Sequence, residues 1–169
     1  VGAVVGMLLS CTAVMGANEY LWIKNDGGVI KFSTDNSTTV SIENPYGDNA
    51  WNGSDYVNNI ILNSTSTDYG LKLSGDLSGI NFTNNGLIAV TGNSDVYGIY
   101  NNGTMENITN RGLIIGTNTG SRDGYGIYNG SSGTINGNIT NNGTIIGNYG
   151  IYNSGTINGT VTNNGLILA

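Results

Sequence analysis

Along most of this chain the apolar residues come in twos and threes, interrupted every few positions by glycine and asparagine. They are mostly β-branched or aromatic, and they do not recur at the three-to-four-residue interval of an amphipathic helix. The pattern predicts short strands closed by turns. It also repeats. Tyr69-Gly70-Leu71, Tyr97-Gly98-Ile99-Tyr100-Asn101, Tyr125-Gly126-Ile127-Tyr128-Asn129 and Tyr149-Gly150-Ile151-Tyr152-Asn153 open four related units, 28, 28 and 24 residues apart. Each unit then runs to a common close, from Phe82-Thr83-Asn84-Asn85-Gly86-Leu87-Ile88 to Val161-Thr162-Asn163-Asn164-Gly165-Leu166-Ile167. From the second unit on, a Gly-Thr-apolar element lies between (Gly103-Thr104-Met105, Gly133-Thr134-Ile135, Gly155-Thr156-Ile157).

A unit of this length cannot bury an apolar face alone, so the units must stack. We read three short strands per unit: Tyr-Gly-Ile-Tyr, Gly-Thr-Ile, and the apolar pair after Asn-Gly. The expected fold is all-β, a right-handed parallel β-helix whose coils lie about 4.8 Å apart along the axis. Equivalent residues then superpose into interior ladders: Leu71, Ile99, Ile127 and Ile151; Ile88, Ile114, Ile145 and Ile167; Ile108, Ile139 and Val161. Gly86, Gly112, Gly143 and Gly165 share one turn, where a left-handed backbone is expected to require glycine. The asparagines before them are expected to hydrogen-bond from coil to coil. With Ile99, Ile127 and Ile151 inward, strand alternation sends Tyr100, Tyr128 and Tyr152 outward in a row. That row is the candidate ligand-binding feature, and mutual stacking between strands is its structural alternative. Residues 117–124 fall between units and read as a surface loop.

Ahead of the repeats, residues 18–68 carry strand-like stretches at 20–23, 29–32, 38–42 and 57–62 without the repeat, and form an expected N-terminal β cap. Trp22 and Trp51 are expected to plug that end. Residues 1–17 are uncharged and apolar or small, matching the middle of a secretory signal peptide, with the chain beginning inside it. Cys11, the one cysteine, falls in this stretch. Plain cleavage near Gly16 or Ala17 leaves a mature chain without cysteine, whereas the Leu8-Leu9-Ser10-Cys11 run offers lipidation as the other reading. Residues 69–169 form about four coils, which are expected to continue beyond Ala169, because the last strand ends as an apolar edge.

Composition narrows the function. The net charge is −6, with only five basic residues, all scattered. Phosphate neutralisation needs clustered Lys and Arg, so nucleic acid is not an expected partner. Histidine is absent, which removes Ser-His-Asp, Cys-His and histidine–metal arrangements. Asp76, Asp95, Glu106 and Asp123 fall at different repeat positions and read as solvating charges rather than a paired-acid site. No catalytic residue, metal site or cofactor is expected.

The apolar leader, the capping segment, and the coils of Tyr-Gly-Ile-Tyr-Asn and Thr-Asn-Asn-Gly together resemble the N-terminal part of autotransporter passenger domains. These belong to large surface adhesins of Gram-negative bacteria. The resemblance implies export through the periplasm to the cell surface, with a C-terminal β-barrel in the outer membrane. That barrel is not among these residues. It also implies a structural and adhesive role toward a host-cell receptor or glycan. A polysaccharide-acting β-helix enzyme, its active residues outside this stretch, is the alternative.

Overall fold

A computed structural model describes residues 20–34 and 41–169. The signal-peptide and Cys11 readings, and most of the stretch expected as a strand at 38–42, lie outside the described residues. Within the described residues, all regular structure is β. The opening segment contributes β1 (Leu21–Asp26), β2 (Val29–Ser33), β3 (Ala50–Trp51), β4 (Asp55–Asn58) and β5 (Ile61–Ser64). Four coils follow. They comprise β6 (Tyr69–Ser74), β7 (Asp76–Leu77), β8 (Asn81–Asn84) and β9 (Leu87–Gly92), then β10 (Val96–Asn101), β11 (Thr104–Met105), β12 (Ile108–Asn110) and β13 (Leu113–Asn118). Next come β14 (Gly124–Asn129), β15 (Thr134–Ile135), β16 (Ile139–Asn141) and β17 (Thr144–Ile146), and finally β18 (Tyr149–Asn153), β19 (Thr156–Ile157), β20 (Val161–Asn163) and β21 (Leu166–Leu168).

Each coil therefore has four strands, not three. The added strand is Ile-Thr-Asn, β12 and its equivalents, which is too short for its alternation to stand out from the Asn-Gly turn behind it. Corresponding strands pair parallel into four sheets, in the orders β18-β14-β10-β6-β1-β2, β19-β15-β11-β7, β20-β16-β12-β8-β4-β3 and β21-β17-β13-β9-β5. The chain is a β-solenoid. Parallel pairing reaches back before Tyr69, since β1, β4 and β5 align with β6, β8 and β9. Only β2 and β3 run antiparallel to their neighbours. The β1–β2 hairpin turns through Gly27 and Gly28, at φ 65° and 87°. Two successive left-handed residues suit the twist of a tight hairpin.

All three expected ladders form in register: Leu71–Ile99–Ile127–Ile151, Ile88–Ile114–Ile145–Ile167 and Ile108–Ile139–Val161. A fourth runs Leu77–Met105–Ile135–Ile157. Burying one such side chain contributes roughly 1.5–3 kcal/mol, and the ladders pack together in one core. At the N-terminal end the core closes on aromatics. Phe32 lies edge-on to Trp51 at 5.6 Å, and Tyr56 stacks on Phe82 at 6.0 Å. Of the two tryptophans expected there, Trp51 packs with these aromatics and Trp22 does not. It alternates with the buried Leu21 and Ile23 and faces outward.

Glycine in the Asn-Gly turn has a different role from the one expected. Gly86, Gly112, Gly143 and Gly165 do not have positive φ; the glycines that do are Gly27, Gly28, Gly53, Gly75 and Gly79. What excludes a side chain is the adjacent coil. A Cβ on Gly112 would sit 2.0 Å from the Gly86 carbonyl oxygen, and one on Gly143 2.1 Å from that of Gly112. Coil stacking brings these turns into backbone contact, and only a residue without Cβ fits between them.

The asparagine before each such turn is the residue that ties coils together. Asn58, Asn84, Asn110, Asn141 and Asn163 form a file of side-chain amides, each Nδ2 donating to the next Oδ1 at 2.9, 2.9, 2.8 and 2.7 Å. Asn101, Asn129 and Asn153 repeat the arrangement at the corner that follows β10, β14 and β18, both links at 2.8 Å. The outer asparagine of the turn makes a shorter file (Asn85 to Asn59, Asn164 to Asn142), interrupted where Arg111 takes its place.

Candidate functional site

The row expected at Tyr100, Tyr128 and Tyr152 forms on the outer face of the first sheet, with ring centroids 5.6 and 5.3 Å apart and planes within 14°. A second row lies beside it: Tyr69, Tyr97, Tyr125 and Tyr149, spaced 5.6, 5.1 and 5.1 Å. Strict alternation from Ile99 would send Tyr97 inward. Instead Gly98 and Ile99 are both buried, and Tyr97 emerges on the same side as Tyr100. The cause is the corner with the neighbouring sheet. A Cβ on Gly98 would lie 2.6 Å from the Ile114 Cγ2, and one on Gly126 2.2 Å from that of Ile145. The isoleucine ladder of one sheet fills the space that the glycine of the other leaves vacant. This extra inward residue turns both tyrosines out, and Gly between Tyr and Ile is the sequence signal for it.

The two rows interlock edge to face. Tyr128 meets Tyr97 and Tyr125 at 5.0 Å, with planes 67° and 77° apart, and Tyr152 meets Tyr149 at 5.4 Å and 70°. These are favourable aromatic geometries, worth about 0.5–1.5 kcal/mol per pair beyond area burial. Because successive rings within a row cover one another's faces, the surface offered outward is ring edges and hydroxyls. Tyr152 and Tyr149 are the most open, at 39% and 43% exposure.

At its other end the face becomes cationic. Lys72 occupies the register position of Tyr100 one coil earlier, and Trp22 the one before that. Lys72 Nζ lies 4.6 Å from the Trp22 ring and 5.0 Å from Tyr69, with Lys24 Nζ 4.8 Å from Trp22. Both ammonium groups thus rest on aromatic faces. Trp22 Nε1 donates to Ser74 Oγ at 2.6 Å. Burial, and then the charge of Lys24, lower the pKa of Lys72.

Beside the second row stand acids. Val96 pairs with Gly124, so Asp95 and Asp123 occupy the same corner of adjacent coils, and the Asp123 amide donates to Asp95 Oδ1 at 3.1 Å. The expectation that the four acids fall at different positions therefore fails for this pair. Each lies two residues ahead of its Tyr-Gly, at the same 28-residue offset as Tyr97 and Tyr125. Asp76 opens β7 and Glu106 lies at the corner after β11, away from the pair. Among the described residues, no group of three or more His, Cys, Asp or Glu could hold a metal ion.

Burial first, and then neighbouring charge, raise the phenol pKa values of this face. Tyr97 is raised by burial and by Asp95, Tyr69 and Tyr100 by burial and adjacent groups, and Tyr125 reaches about 12. In the interior, burial pushes Tyr56 to about 12 as well, against an ordinary 10.0. A raised phenol pKa favours the protonated native state. Its contribution is complete below pH 10 and is lost as pH rises toward 12. Denaturant midpoints are therefore expected to be level up to about pH 10 and to fall steeply above it. Replacing Tyr97 and Tyr125 by phenylalanine should flatten that fall.

No family model, curated protein or solved structure matches the chain.

Proposed function

We propose that this chain is a segment of an exported cell-surface protein of the autotransporter passenger type, a rigid solenoid with a structural and adhesive role. One observation carries the reading: a continuous seven-tyrosine face held on stacked parallel strands. Parallel stacking makes an elongating platform in which each coil repeats the same outward chemistry. Presentation at the bacterial surface, export through the periplasm and outer-membrane anchorage by a β-barrel elsewhere in the protein belong to this proposal. So does the partner, a host-cell receptor or glycan that meets the ring edges and hydroxyls with its own polar groups.

The test is binding of the purified chain to cultured host cells and to a panel of immobilised glycans. Tyr100→Phe, Tyr128→Phe and Tyr152→Phe together keep the rings stacked and remove the hydroxyls of one row. Loss of saturable binding in a variant with an unchanged unfolding curve supports the reading. Binding that survives in this variant, or that is absent from the parent chain, overturns it.

A further inference from the structure

The tyrosine face is also the place where this protein is most open to a specific covalent change. Seven phenols are in mutual contact, with centroids 4.9 to 5.6 Å apart, and each touches at least two others. All seven are half-buried or exposed. Exposed thiols and thioethers normally intercept oxidants first. Here the one sulfur among the described residues, in Met105, is fully buried.

We propose that this face is an oxidative cross-linking site, in which a haem peroxidase using hydrogen peroxide joins tyrosines of adjacent coils as dityrosine. The chemistry balances. Each of two neighbouring phenols gives up one electron and one proton, leaving two phenoxyl radicals. These join through the ring carbons ortho to oxygen, and the two displaced ring hydrogens move to the oxygens as aromaticity returns. One hydrogen peroxide takes the two electrons and two protons and leaves as two waters. The inter-coil partners include Tyr69–Tyr100 at 4.9 Å and Tyr97–Tyr128 at 5.0 Å, and the stacked pairs Tyr97–Tyr125 and Tyr125–Tyr149, both at 5.1 Å, and Tyr128–Tyr152, at 5.3 Å. Parallel pairing holds their backbones one strand spacing apart, so coupling within a chain outruns coupling between chains. Each link staples two coils across the outer face of the sheet. This inference does not depend on what the face binds.

The purified chain is treated with a haem peroxidase and hydrogen peroxide, then resolved by size. Dityrosine fluorescence is expected in the monomer, with a yield per chain unchanged by dilution. Peptide mapping should give a mass loss of two hydrogens per link, placed between tyrosines of adjacent coils. Replacing Tyr97, Tyr100, Tyr125 and Tyr128 by phenylalanine keeps the stacking, and should abolish most of the monomer signal while leaving the unfolding curve near that of the parent. Dityrosine confined to dimers and larger species, links mapped to tyrosines outside this face, or no dityrosine in folded protein would each overturn the proposal.

Discussion

Gly112→Ala is expected to destabilise the solenoid by about 3 kcal/mol or more, and Gly112→Asn by at least as much. The added Cβ would lie 2.0 Å from the Gly86 carbonyl oxygen and 2.8 Å from the Asn85 carbonyl carbon. Neither atom belongs to a side chain that can swing away. Relief requires the coils to separate at that corner, which lengthens the bonds from Leu113 N to Gly86 O and from Gly112 N to Asn84 O, both 3.0 Å. The asparagine variant decides between two causes. Asparagine is the residue that best tolerates a left-handed backbone after glycine. If conformation were the reason for glycine here, asparagine would recover much of the loss; with close approach as the reason, it recovers none. Gly47→Ala is the control. Gly47 is exposed and does not have positive φ, and a Cβ added there would meet no atom within 4 Å, so its change should stay within about 0.5 kcal/mol. Urea unfolding followed by circular dichroism measures all three.

The interior was legible because a solenoid superposes like on like. Once the units are aligned, Ile over Ile over Ile is the one arrangement that buries all of them, and no tertiary detail is needed to find it. What escaped were the corners, where one sheet meets the next and the period of two is interrupted. Gly98 is such a place. Alternation assumes an unbroken strand, whereas the Ile114 side chain reaching in from the next sheet allows two successive inward residues and turns Tyr97 outward. Half of the candidate face was lost to that assumption. The Asp95–Asp123 pairing, by contrast, was legible and overlooked: each acid lies two residues ahead of its Tyr-Gly, at the same 28-residue offset as Tyr97 and Tyr125. Trp22 was misplaced because a large aromatic near a chain end reads as a plug, although its neighbours Leu21 and Ile23 already fix its outward direction by alternation.

The asparagine file gives the second large effect. Asn110 is fully buried, accepts from Asn84 Nδ2 at 2.9 Å, and donates through Nδ2 to Asn141 Oδ1 at 2.8 Å, Thr144 O at 3.1 Å and Gly112 O at 3.2 Å. Asn110→Leu keeps the branching and the number of side-chain heavy atoms, though its methyl groups are bulkier, and removes the amide, weakening the polar satisfaction of buried groups in three coils at once. A loss of about 3 kcal/mol follows, since each buried group left unpaired costs about 1–3 kcal/mol. Asn110→Asp is expected to be worse at neutral pH, because a carboxylate can only accept and would face three oxygens where the amide donated. Burial and those oxygens hold its pKa above the ordinary carboxylate value, so protonation favours the folded state. The variant is therefore expected to be most stable in acid, and to weaken as pH rises through the raised native pKa. Asn85→Asp separates burial from residue type. Asn85 sits one position away in the equivalent turn of the preceding coil, is exposed, and makes a single bond to Asn59 Oδ1 at 3.0 Å; its change should stay within about 0.5 kcal/mol. Equal losses at Asn110 and Asn85 would mean that the buried file does not hold the coils together. A large loss at Asn110 alone, recovered in part at acid pH in the aspartate variant, would make the amide file, as much as the isoleucine ladders, the reason the stack has one register.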